Sequence, residues 1–264
     1  MQQTSDLYKS LFNDLLAGKP GVRYETRMTI GDAGTLITKK GDAITFGGIR
    51  ILVGSSGPDS GFDESVLINV KTALRVFSED TPSIGDCISS QIDVSLLQPA
   101  AQIPRQARLV PYVRLTDGMR HSEWLQQGVY FIDTRESSGG ETWKQMTLHG
   151  YDAMLKAEAD YPPSTLQWPA KDIDVVREIA DAMGVAVDAR TVAIMTRGYS
   201  IEYPADYSQR ETLGYIASLY AGCFVMSDLG ELRLIQLGSI PPETRYLVTK
   251  DGQAITFGGV RIRV

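Results

Sequence analysis

The chain has 264 residues, with 26 Lys and Arg against 32 Asp and Glu, a formal net charge of -6, and 43% hydrophobic residues. This hydrophobic content suffices for a packed core and excludes a disordered chain, and the acidic balance excludes a protein that coats duplex DNA through a basic face. No apolar run approaches the roughly 20 residues that span a bilayer, so we expect no stable membrane insertion.

The first predicted element is an amphipathic helix over residues 5–17, within an N-terminal segment of residues 1–21. Six apolar residues recur at the spacing of one helix face: Leu7, Tyr8, Leu11, Phe12, Leu15 and Leu16. Three polar residues can cap the start, namely Thr4, Ser5 and Asp6, and Gly18 follows the end. The apolar face must be buried either on the chain's own β-domain or on a neighbouring subunit, and the sequence leaves both possibilities open.

Residues 22–150 have the pattern of a β-domain. Five strands are predicted by alternation and turn residues, over 24–30, 88–96, 107–115, 128–135 and 141–148. Turns are expected at Asp117-Gly118 and at residues 137–140, and residues 54–64 form a polar loop rich in Gly and Ser. Strands at this spacing, joined by short turns, predict an antiparallel β-barrel or sandwich.

Residues 151–240 have the pattern of a small α+β domain. Three helices are predicted: one over 151–159, one over 174–183, and one that opens with a capping box from Ser208 to Glu211. We expect Asp172 or Asp174 to cap the second helix and Gly222 to end the third. A hairpin follows, pairing residues 223–226 with 232–235.

One segment of the chain occurs twice. Residues 36–53 and 247–264 are identical at 13 of 18 positions, and each copy reads as a hairpin that contains a Gly-Gly pair. Residues 241–264 are therefore expected to begin a second barrel, in a chain that we expect to be truncated, although the last hairpin could instead complete the first sheet. The predicted fold class is α+β and mainly β: an antiparallel barrel or sandwich, a small α+β domain, and the start of a second barrel.

The sequence contains no recognised catalytic or cofactor motif. Its two histidines, His121 and His149, and its two cysteines, Cys87 and Cys223, have no zinc-binding spacing, and we expect both thiols to be buried. His149 and Asp152 could form a proton relay, but a capping or core hydrogen bond is the favoured interpretation. We therefore predict no catalytic residue, no cofactor, no metal site and no enzymatic activity.

The three tryptophans, Trp124, Trp143 and Trp168, could stack on sugars in a carbohydrate-binding adhesin module. Core packing is the favoured interpretation for all three. Scattered carboxylates also leave open the hub portion of a tail-associated peptidoglycan hydrolase, for which the sequence offers no positive sign.

Several blocks, in this order, resemble the baseplate hub or tail-tip hub proteins of tailed bacteriophages and prophages. They are RYETR at 23–27, IGDC at 84–87, IPRQAR at 103–108, SEWLQQGVYFI at 122–132, LHGYDAML at 148–155, RETLGYIA at 210–217, GCFV at 222–225 and GELRL at 230–234. Together they cover most of residues 22–237, and their order is more specific than any single block.

The resemblance implies a structural protein of the virion tail, assembled in the cytoplasm of the host bacterium. Such hubs form homotrimers with two related tube-like barrels in each chain, so that a threefold ring matches the hexameric tail tube around the DNA channel. The partners so implied are tail tube and distal tail proteins, the tape measure protein, and tail fibre or spike proteins, with DNA only in passage. Family members usually continue through a second barrel, of which this sequence contains only the beginning.

Overall fold

The computed structural model describes residues 2–31, 61–78, 81–97, 103, 107–139 and 144–237, together with the backbone of short strands within 34–53 and 256–261. Four helices and one 3₁₀ helix are present in this part of the chain: α1 (Asp6–Leu16), α2 (Asp172–Met183), α3 (Ala189–Ile194), α4 (Gln209–Leu219) and the 3₁₀ helix Ala153–Glu158. The strands are β1 (Arg23–Gly31), β2 (Gly34–Thr35), β3 (Thr45–Phe46), β4 (Ile49–Arg50), β5 (Leu52–Val53), β6 (Leu67–Ala73), β7 (Gln91–Leu97), β8 (Arg108–Thr116), β9 (Leu125–Gln126), β10 (Tyr130–Gly139), β11 (Lys144–Asp152), β12 (Ala170–Lys171), β13 (Ser200–Ile201), β14 (Gly222–Met226), β15 (Leu232–Gln236), β16 (Thr256–Phe257) and β17 (Val260–Arg261).

The principal sheet has seven antiparallel strands in the order β1-β8-β10-β11-β7-β6, with β9 paired to β8. Its two ends are linked by a single bridge between Met28 of β1 and Phe62, which lies just before β6. Strand pairing among the described residues therefore does not close into a barrel. The expected fold class is confirmed as mainly antiparallel β with a few helices.

Alternation along β7 places one face of this sheet in a core. Ile92, Val94 and Leu96 are fully buried, whereas the intervening Asp93 and Ser95 are half-buried. They pack in a cluster with apolar residues from β1, β8, β10 and β11, among them Met28, Leu109, Tyr130 and Leu148. On the opposite face, Lys71, Asp93 and His149 lie in a row across β6, β7 and β11, whereas Phe131 of β10 packs against the second core.

A second core lies between α2, α4, the 3₁₀ helix and the hairpin β14–β15. The residues predicted to face inward on α2 and α4 are all buried, namely Val175, Val176, Ile179, Ala180 and Met183, and Leu213, Ile216, Ala217 and Tyr220. The ammonium of Lys156 contacts both this core and the sheet. It donates to the Met183 carbonyl of α2 at 3.1 Å and lies 4.4 Å from the centre of the Phe131 ring on β10. The predicted domain limits at residues 150 and 240 stay predictions.

The helix starts follow the sequence in two of three cases. Ser5 caps α1, and the capping box of α4 is confirmed with both of its reciprocal hydrogen bonds. The expected cap of α2 is wrong: Lys171 occupies the N-cap position without a side-chain bond, because Asp172 is already inside the helix and its carboxylate accepts from the Tyr220 hydroxyl.

Two further expectations are corrected. The segment predicted as a helix over 151–159 is a 3₁₀ helix that starts two residues later, since Tyr151 and Asp152 still pair in β11. Gly222 does not end α4, because Ala221 adopts the left-handed conformation with φ of 49° and Gly222 begins β14. The short helix α3 was not predicted.

The two copies of the repeat contain the same small hairpin. In the first copy Thr45 pairs with Arg50 and Phe46 with Ile49, and in the second copy Thr256 pairs with Arg261 and Phe257 with Val260. The two copies thus have the same register at these four paired positions, which differ only by Ile49 in the first copy and Val260 in the second. Residues 54–60 of the loop predicted at 54–64, the expected Lys-Gly and Asp-Gly turns and the two Gly-Gly pairs lie outside the described residues, whereas Phe62 of that loop bridges to Met28 of β1.

Candidate functional surfaces

The outer face of the principal sheet carries a row of charged and polar side chains across β6, β7 and β11. Lys71 is opposite Asp93, and Asp93 is opposite His149. The His149 Nδ1 lies 2.5 Å from a carboxylate oxygen of Asp93, and both side chains are about half exposed. This surface is therefore polar and of mixed charge.

The pairing of His149 with Asp93 removes the proton relay considered for His149 and Asp152. Asp152 instead caps the 3₁₀ helix, accepting from the backbone N–H of Met154 at 3.0 Å and from that of Ser90 at 2.9 Å. Burial raises the pKa of the Asp152 carboxyl to about 6, although these two donors and the charge of Arg210 act in the opposite direction. The favoured capping interpretation is correct.

The edges of the sheet differ in how they are protected. The outer edge of β1 is covered by the chain itself, because Met28 and Phe62 exchange backbone hydrogen bonds of 2.9 and 2.8 Å. Glu64 also accepts from the backbone N–H of Thr26 at 3.3 Å. At the other end of the sheet, β6 pairs with β7 alone, and Ile68 on β6 is 53% exposed. Among the described strands of this sheet, β6 is therefore an edge strand with an exposed apolar side chain.

The remaining histidine and the first tryptophan lie together over β1 and β8. Glu25 accepts two hydrogen bonds from the Arg114 guanidinium at 2.7 Å, and His121 lies 3.7 Å away. Partial burial acts to raise the pKa of Glu25, but Arg114 outweighs it and the pKa is lowered. The guanidinium carbons of Arg114 and Arg27 lie 4.4 and 5.2 Å from the centre of the Trp124 ring. Trp124 thus stacks with arginines rather than lying in the apolar core.

Trp168 belongs to an aromatic cluster in the second half of the chain. Its ring makes edge contacts with Tyr161 and Tyr203, at centroid distances of 6.1 and 5.2 Å. Tyr161 also donates to Glu178 at 2.7 Å, which fixes the cluster on α2. Trp143 lies outside the described residues.

Both cysteines are buried, as expected. Burial raises the pKa of the Cys87 thiol to about 12, and it also raises the pKa of Cys223. The segment that contains Cys87 lies along β14, where the N–H of Gly85 donates to the Gly222 carbonyl at 2.8 Å. Within the described ranges, no group of three or more His, Cys, Asp or Glu side chains could hold a metal ion.

Helix α1 lies against the sheet of its own chain. The Ser5 backbone N–H and hydroxyl both donate to Glu123, at 2.6 and 2.5 Å, and Leu11 is fully buried. Phe12 and Leu16 remain 37% and 71% exposed. The helix therefore docks on its own β-structure through part of the predicted apolar stripe and leaves the rest uncovered. Of the helices that the structure describes, none is long and apolar enough to cross a membrane.

Comparison of the chain with models of protein families gives no match. Comparison with curated proteins gives no match either. Two solved structures are similar to this chain. The first is a 43 kDa tail protein of prophage MuSo2 from Shewanella oneidensis, with 10% sequence identity and a TM-score of 0.49; the match covers 81% of this chain and 56% of that chain. The second is a tail protein from Neisseria meningitidis MC58, with 12% identity and a TM-score of 0.42; the match covers 80% of this chain and 51% of that chain. The chain thus spans about half the length of these two proteins. Similarities at this level assign no function to the chain.

Proposed function

We propose that the chain is part of a structural tail hub subunit, which forms a homotrimeric ring between the hexameric tail tube and the tail tip or baseplate. The observation that carries the proposal is the repeat: residues 36–53 recur as 247–264, with the same strand register in both copies. A module that occurs twice in each chain gives a threefold assembly six similar contact points. The ordered sequence blocks that resemble tail hub proteins point in the same direction.

The polar row across β6, β7 and β11 is suited to line a channel through which DNA passes. Lys71, Asp93 and His149 leave it without the concentrated positive charge that would retain a phosphate backbone. The net charge of -6 also disfavours retention of DNA, because it repels the phosphate backbone. DNA is accordingly a passing polymer and not a stable ligand in this proposal.

The edge strand β6 is the surface that we assign to the contact between subunits. A sheet edge is specific in register and direction, because each unpaired N–H and C=O must meet its counterpart on the neighbouring strand. The covered edge of β1 cannot serve in the same way without displacing Phe62 and Glu64. Assembly would then involve tail tube, distal tail, tape measure, and fibre or spike proteins, in the tail of a virion built in the host cytoplasm.

Light scattering coupled to size exclusion tests the assembly with the full-length protein that contains this chain. We expect a trimer, and we expect Ile68→Lys to lower its stability, because the substitution puts a charge on an exposed position of this edge strand. Met119→Lys is the matched control, since Met119 is 93% exposed in a turn away from that edge. A wild-type protein that stays monomeric at all concentrations contradicts the proposal.

The proposed role is structural and not catalytic. Zymography on peptidoglycan tests this part: clearing of the gel by the chain alone would favour the hub portion of a hydrolase instead. No contact described above favours that alternative.

A further inference from the structure

A groove of about 550 Å³ lies where α1, residues 125–127 and the turn at Asp228 meet. Gln126 joins its walls, because the Gln126 side chain donates to the Asp228 carbonyl at 2.8 Å and the Gln126 carbonyl accepts from the Gln2 side chain at 2.5 Å. The N-terminal segment, the sheet and the β14–β15 hairpin are thereby held together around the groove. Its volume is in the range of small-molecule sites.

One wall of the groove is aromatic. Tyr8 and Phe12 are four residues apart on α1, so their side chains lie on the same side of the helix. Their rings are nearly parallel, with an angle of 10° and a centroid distance of 6.3 Å. Phe12 is 37% exposed, which leaves ring surface available to a ligand.

Polar groups line the same groove. The Asp228 carboxylate, the Asn13 amide and the Thr4 hydroxyl have no hydrogen-bond partner among the described residues. The Lys9 ammonium also lines the groove, but it pairs with Asp6 at 3.1 Å. One carboxylate and one paired ammonium do not give the groove a strong charge of either sign.

We propose that this groove binds a neutral oligosaccharide. The C–H face of a sugar ring packs on aromatic rings such as Tyr8 and Phe12, and its hydroxyl groups both donate and accept. Among the described residues, the Asp228 carboxylate, the Asn13 amide and the Thr4 hydroxyl have no hydrogen-bond partner and so provide the complementary acceptors and donors. The absence of a strong net charge disfavours a phosphate-rich or highly basic ligand. This proposal does not rest on the hub function, and it uses none of the three tryptophans.

Calorimetric titration of the chain with two ligands tests the proposal: a neutral glucan oligosaccharide and an oligosaccharide of N-acetylhexosamine. We expect saturable binding of at least one of them, and a loss of about tenfold in affinity for Phe12→Ala and for Asp228→Asn. Leu16→Ala is the matched control, because Leu16 lies on α1 without lining the groove, and this variant should bind like the wild type.

The melting temperature of each variant shows whether it is folded. If Phe12→Ala melts early, Thr4→Val removes a polar group of the groove without shortening the aromatic wall and should weaken binding in the same direction. The proposal is overturned if neither oligosaccharide binds, or if binding is equally strong in the wild type and in all folded groove variants. Neither result bears on whether the full-length protein forms a trimer.

Discussion

Gly85 and Gly214 lie against each other so closely that neither could carry a side chain in the present packing. A Cβ at Gly214 would lie 2.7 Å from the Gly85 carbonyl oxygen, and a Cβ at Gly85 would lie 2.9 Å from that of Gly214. Gly85 also has a φ of +91°, in the region that favours glycine. This contact brings the loop before β7, which carries Cys87 of the second core, against α4.

Substitution Gly214→Ala should therefore destabilise the protein. At an exposed helix position the change would stabilise the helix by about 1 kcal/mol, but here the methyl group collides with backbone, and we expect a loss of about 1–3 kcal/mol in the free energy of unfolding. Gly184→Ala is the control: nothing lies within 4 Å of its added Cβ, and its cost comes from a φ of +73° alone, about 1 kcal/mol. Urea unfolding measures both, and a stabilised Gly214→Ala variant would show that the contact is absent.

Stability should depend on pH through Asp152. Its pKa is raised by burial to about 6, above the ordinary 3.8, so the folded protein binds more protons than the unfolded one between these values. The contribution of this group to the free energy of unfolding therefore falls as pH rises through that window, in total by an amount on the order of 3 kcal/mol.

The variant Asp152→Asn isolates this effect. It should be less stable than the wild type, because the amide nitrogen cannot accept from a backbone N–H as the carboxylate does from Ser90. The difference in the free energy of unfolding between wild type and variant should become smaller as the pH rises from about 4.5 to about 7. Thermal unfolding at several pH values measures it, and a difference that stays constant would place the pKa of Asp152 outside this window.

The attachment of α1 depends on Glu123. Partial burial acts to raise the pKa of this carboxyl, but the two hydrogen bonds from Ser5 outweigh it and the pKa is lowered. Glu123→Ala should speed amide hydrogen exchange in α1 by about tenfold, while exchange in the second core stays unchanged. Asp6→Ala is the control, since of the described residues Asp6 pairs with the exposed Lys9 alone, and equal exchange rates in the two variants would contradict this role for Glu123.

The capping box of α4 should contribute measurably to stability. Ser208→Ala removes the acceptor for the Glu211 N–H, at 3.2 Å, and should cost about 1 kcal/mol. The double variant with Glu211→Ala should lose less stability than the sum of the two single losses, because the side chain of each residue accepts a hydrogen bond from the backbone of the other. Ser218→Ala, at an exposed position of the same helix, is the reference, and additive costs in the urea-unfolding cycle would show that the two bonds are independent.

The sequence predicts elements well where local chemistry decides them. Spacing and capping within a few residues are enough to predict the inward residues of α2 and α4, the alternation of β7 and the capping box at Ser208. Predictions that depend on a distant partner are less successful: Asp172 accepts from Tyr220, 48 residues away, and so does not cap α2. The short helix α3 has a single buried residue, Thr191, and no apolar period that would reveal it.

Site prediction has the same limit. The two residues of the considered relay, His149 and Asp152, are close in sequence, whereas the strand register places His149 opposite Asp93. The groove beside α1 requires Gln126 and Asp228 to meet across 102 residues, which periodicity does not indicate. One signal for it is present in the sequence: Tyr8 and Phe12 share one face of the first helix.

Cryo-electron microscopy of the full-length protein that contains this chain tests the central claim most directly. The account predicts a threefold ring around an open channel, with the segments 36–53 and 247–264 alternating at six equivalent positions. A particle without a central opening, or one in which the two segments lie in unrelated surroundings, would contradict it.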